Sequence, residues 1–280
     1  MRNLLLNLLL IMPMWAFAQD GLEGIIVERY YVTNHNDGKA INKSGELPEG
    51  SVTYRIFVDL KPGFRFQAAY GSKGHPLIIS STENFFNHVD AGTTHPNILP
   101  GRTLTQDVSL LDSWLSVGAA SEFHLGIPRM YDVTTEESAT PFKEGFLENK
   151  EKKRDLSLRQ RDGLVTAATL PYPTFFQMDS CLKFLGRSTN GDSIVVQDGA
   201  WASMGKGSVG ADSLTTNTVL IAQLTTKGQL SFELNLMIGD ADGHSYNYVA
   251  RNPVGKEMVH PDLIYRSEKV TKKKKRKRNK

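Results

Sequence analysis

Apolar and polar positions along this chain repeat mostly with a period of two. SVTYRIFVDL (51–60) places Val52, Tyr54, Ile56 and Val58 on one side and Thr53, Arg55 and Asp59 on the other. That is the pattern of a strand with one buried face. GIIVERYYV (24–32) is dense in β-branched and aromatic residues, which suit a pleated, half-buried surface. The same character recurs in FRFQAAYG (64–71), PLIISST (76–82), WLSVGAAS (114–121), DSIVVQDGAW (192–201), TVLIAQLTT (218–226), LSFELNLMI (230–238) and the shorter NYVAR (247–251). Lys61-Pro62-Gly63 reads as a turn, making 51–71 a hairpin, and Lys227-Gly228 makes 218–238 a second one. Helical periodicity is confined to the charged stretch Glu144 to Gln160, which reads as a short helix or a linker.

Many short strands separated by Gly, Pro, Asn and Asp predict an all-β fold. The expected architecture is a jelly-roll-like β-sandwich of two antiparallel sheets. Residues 19–268 read as one domain, with 144–162 as a charged insertion. The long loops 83–110 and 239–247 are rich in Asn, Asp, Gly, Thr and His. Loops of this kind on a β scaffold are where binding surfaces sit.

The first residues add a compartment. Arg2, the apolar run Leu4 to Trp15 and the small-x-small Ala16-Phe17-Ala18 form a secretory signal pattern, with cleavage expected before Gln19. The run is shorter than the roughly 20 apolar residues a spanning helix needs. No other stretch is long and apolar enough to cross a bilayer, and a glutamine rather than a lipidated cysteine follows the cut. The expected product is therefore exported, to the periplasm, the cell surface or the medium. The one cysteine, Cys181, has no partner for an internal disulfide and lies among apolar neighbours. A buried, inert thiol is the expectation.

Charge divides the chain in two. The formal charge is +3, but Lys272, Lys273, Lys274, Lys275, Arg276, Lys277, Arg278 and Lys280 supply eight positive side chains and Arg2 one more, leaving the body at −6. The tail 269–280 is expected to be disordered through self-repulsion. It is a candidate site for anionic polymers such as envelope phosphates, acidic polysaccharide or phospholipid. The acidic body does not read as a specific nucleic-acid binder.

GLEGIIVERYYV, LPEGSVTYRIFVDLKPGFRFQAAYG, HPLIISSTENFFNHVDAGT, LLDSWLSVGAAS, DGAWASM and VLIAQLTTKGQLSFELNL resemble blocks of a group of uncharacterised secreted proteins common in Bacteroidota. The match covers about residues 22–252. The resemblance implies a β-rich extracellular unit, often repeated ahead of a type IX secretion sorting domain. It brings no established catalytic residues. This chain carries one such unit followed by lysines.

Candidate chemistry is sparse. Asp240 and Asp242 in GDADGHSYN form a D-x-D-G arrangement, which serves either a calcium ion or an Asx turn. Calcium is the only cofactor the residues suggest, and Asp90 in NHVDAGT is a second such position. His75, His88 and His95, with Glu83 and Asp90, offer metal or acid–base groups but match no zinc spacing. GKGSVG (205–210) lacks a following helix to cradle phosphate and reads as a mobile loop. Glu28, Asp59, Glu122, Asp198 and Glu233 are carboxylates in or near strands, either a glycosidase pair or ordinary surface charges. No catalytic motif is present, so no catalytic residue is assigned.

Aromatics recur at Tyr30-Tyr31, Phe85-Phe86, Trp114, Phe175-Phe176, Trp201 and Tyr246/Tyr248. In a strand doublet one ring points in and one out. Tyr31, Phe85, Trp114, Trp201 and Tyr246 are thus candidate ligand-stacking residues, against the alternative that they fill the core. The function expected is a non-catalytic envelope or extracellular interaction module. The alternatives are a carbohydrate-binding or carbohydrate-active protein, and a polyanion-binding adhesin acting through the tail.

Overall fold

The computed structural model describes residues 21–34, 37, 47–99, 108–129, 163–186 and 191–268. The signal pattern, the 144–162 segment and the basic tail lie outside these residues. Among the described residues the fold is all-β, built of several antiparallel sheets. No helix there is long and apolar enough to cross a membrane.

The first sheet has the order β1 (Leu22–Val32), β2 (Val52–Leu60), β12 (Asn217–Thr226), β5 (Trp114–Leu115). The second has six strands: β16 (Met258–Val259), β15 (Ser245–Val249), β14 (Leu236–Gly239), β3 (Arg65–Gly71), β11 (Gly199–Ser203) and β9 (Pro173–Phe176). All its pairs are antiparallel except β15 with β16. The third runs β10 (Ser193–Val196), β4 (Leu77–Ser81), β13 (Leu230–Glu233), β17 (Ile264–Arg266). A small sheet joins β6 (Ala119–Ser121), β7 (His124–Gly126) and β8 (Leu164–Thr166).

One apolar core takes side chains from the three large sheets: Ile56 and Val58 of β2, Phe66 of β3, Ile79 of β4, Trp201 of β11, Phe232 of β13 and Leu236 of β14. A second core lies on the opposite face of the first sheet and holds Tyr30, Tyr31, Phe57, Leu220, Phe86, Leu110 and Trp114. β2 and β12 are therefore covered on both sides, and every residue of β12 is buried. The half-buried expectation for 51–60 is corrected accordingly. Thr53 is fully buried and Arg55 only 2% exposed, because Phe86, Leu99, Leu110, Leu111 and Ala120 of distant segments pack over that face.

Two register shifts decide which side chain meets which core. On β12, Leu220 pairs with Phe57 and Ala222 with Ile56, leaving Ile221 extra. The bulge switches the phase, so Val219 before it and Leu224 after it face the same core. On β1 the shift falls between Arg29 and Tyr31. Tyr30 is the extra residue, and both tyrosines enter the second core.

The two expected hairpins are not paired strands. β2 belongs to the first sheet and β3 to the second, so Lys61-Pro62-Gly63 carries the chain across the core. The corner is tied by Asn217, whose Nδ2 donates to the carbonyls of Lys61 (3.1 Å) and Phe64 (2.8 Å). Likewise β12 and β13 lie in different sheets. There the Gly228 N–H donates to Thr226 Oγ1 (2.9 Å) and the Gln229 N–H to Thr82 Oγ1 (2.9 Å). The single expected strand 230–238 also divides between two sheets. Asn235 holds the break, donating to the carbonyls of Tyr70 and His75 and accepting from the Ala250 N–H.

Candidate functional site

Four of the five candidate stacking aromatics are core residues. Tyr31 and Trp201 are fully buried, and Phe85 and Trp114 are 1% exposed. None presents a ring to solvent, which corrects the expectation of an exposed platform at these positions. The doublet rule fails at Tyr30-Tyr31 because of the β1 bulge. At Phe85-Phe86 the two rings do diverge, but each enters one of the two cores. Tyr246 is half-buried, 6.1 Å from the Phe64 ring, and its hydroxyl donates to Asp240 Oδ2 (3.0 Å).

The Asp240 loop is organised as a turn. Asp240 Oδ1 accepts the N–H groups of Asp242 (2.9 Å) and His244 (2.8 Å), the first being an Asx-turn bond. Oδ2 lies 3.0 Å from His244 Nδ1. Desolvation pushes the Asp240 carboxyl upward, but the bonds from His244 and Tyr246 and the His244 charge outweigh it and hold the group at about 2. Asp240, Asp242 and His244 are the only group of three or more metal-ligating side chains among the described residues whose donor atoms converge. His244 is the member the sequence reading did not include. Four of the carboxylate's contacts are already taken within the turn, so the geometry fits the Asx alternative without an ion.

The loop histidines do not converge. His88 is buried, and its Nδ1 accepts the N–H groups of Asp90 and Ala91. His75 Nε2 lies 3.1 Å from Glu257, beside the Tyr70 phenol, which burial and the Glu257 charge push up to about 12. His95 packs its ring edge against Tyr172, with centroids 4.7 Å apart. GKGSVG is not a free loop, because Ser208 exchanges two 2.8 Å backbone hydrogen bonds with Phe66 of β3. Among the carboxylates, Glu233 is held by a two-pronged contact from Arg251, while Glu28 and Asp59 belong to the first sheet. The Cys181 thiol is buried, as expected, and donates to the Val195 carbonyl (2.9 Å).

Two features carried no sequence signal. The first is a buried polar layer on the second face of the first sheet. The Arg55 guanidinium sits 3.5 Å from the Tyr30 ring centroid, and its Nε donates to Gln223 Oε1 (3.0 Å). Burial pushes the neighbouring Glu28 carboxyl up, opposed by Arg55 and by the Arg129 N–H and charge. The Asp112 carboxylate accepts the N–H groups of His88 and Thr93, both at 2.8 Å. Burial pushes it up to about 7 against these bonds. Arg55 and Glu28 tie the Gly163 and Arg129 backbone to the sheet, and Asp112 joins the His88 and Thr93 backbone.

The second feature is a set of exposed apolar side chains. Ile98, Phe123 and Tyr172 are 55%, 54% and 55% exposed, on three loops that meet. The Glu122 N–H donates to the Leu99 carbonyl (3.0 Å), which joins the loop of Ile98 to that of Phe123. Asn97 Nδ2 donates to the Pro171 carbonyl (2.9 Å), which sets Tyr172 beside the same loop. Tyr172 stands between Pro171 and Pro173 at the start of edge strand β9, where proline substitutes for missing pairing. Comparison with protein-family models, with characterised proteins and with solved structures finds no match to this chain.

Proposed function

We propose that this chain is an exported, non-catalytic β-sandwich of jelly-roll type that serves as an interaction module in the envelope or outside the cell. The sandwich reading is supported by one apolar core shared between the first sheet and the second and third sheets. Export is supported by the signal pattern and by the resemblance to secreted β-rich units. The observation that carries the interaction role is the exposure of Ile98, Phe123 and Tyr172 on loops joined by two hydrogen bonds. Apolar side chains exposed together on neighbouring loops are candidate interaction sites.

The test is incubation of the full chain with isolated bacterial envelopes and with glycan and peptide substrates. Retention on the polymer with no released sugar or peptide is the expected result. Catalytic release of either product overturns the reading in favour of a carbohydrate-active or proteolytic enzyme. The eight cations of 272–280 favour a second reading, in which the tail anchors the protein to anionic polymer by electrostatics that salt screens.

A further inference from the structure

We draw no further inference here: the strongest candidate, the patch of exposed Ile98, Phe123 and Tyr172 side chains on the joined loops beside β6, β7 and β9, belongs to the surface already described, and nothing in the structure shows what covers it.

Discussion

Replacing Asp112 by asparagine tests the buried polar layer. The carboxylate presents one oxygen to the His88 N–H and the other to the Thr93 N–H, each at 2.8 Å. An amide satisfies one and turns its NH₂ toward the other, orphaning a buried donor at a cost of about 1–3 kcal/mol. Charge acts in the opposite direction. Burial places the folded-state pKa at about 7, above the ordinary 3.8. A carboxyl raised in this way contributes stability that is fully present below pH ~3.8 and lost as pH rises through ~7. At 1.36 kcal/mol per unit the loss reaches at most about 4 kcal/mol. The asparagine variant has no such loss. Urea unfolding of both proteins at pH 5, 6.5 and 8 should show Asp112→Asn clearly destabilised at pH 5. The deficit should shrink by more than 1 kcal/mol at pH 8. A deficit constant to about 0.5 kcal/mol across this range would refute the reasoning. It would mean that the backbone donors hold the carboxylate charged at its ordinary pKa.

Further consequences follow from the same packing. Trp201→Ala empties the centre of the main core and should cost about 3–5 kcal/mol in urea unfolding; a loss under 1 kcal/mol would place the ring at the surface. Arg55→Met leaves the half-buried Glu28 with Arg129 as its remaining cationic neighbour and removes the stack on Tyr30. We expect about 3–5 kcal/mol of destabilisation, reduced in the double variant with Glu28→Gln if the two charges are coupled. Because Asp240 already accepts four contacts within its own turn, calcium at millimolar concentration should leave the thermal midpoint unchanged. A saturable rise that disappears in Asp240→Asn would show that the loop holds an ion.

The longer strands were legible from alternation and from β-branched and aromatic content, but the short β7, β8, β9, β16 and β17 were not, and the single strands expected at 114–121 and 192–201 each divide between two sheets. Sheet membership was not legible. Alternation reports which residues share a face and a glycine turn reports a reversal, but neither says whether the returning strand pairs beside its predecessor or crosses the core. Asn217 and Asn235 make that choice through long-range contacts to backbone carbonyls. The burial of Thr53 and Arg55 depended equally on distant segments folding over them. Tyr30 and Tyr31 share a core because one bulged residue shifts the phase. The candidate surface was missed for a related reason. Pro-Tyr-Pro at 171–173 reads as a turn, and Phe123 and Ile98 stand alone in sequence until one backbone bond and one from the Asn97 side chain bring the three loops together.

In the proposed function the folded body, and not the basic tail, owns the interaction. Co-sedimentation of the full chain and of a chain lacking 272–280 with isolated envelopes, at 50 mM and 1 M NaCl, addresses it directly. Both forms are expected to bind in 1 M NaCl with the same affinity, the tail adding retention only at low salt. Binding confined to the tailed form at low salt would contradict it.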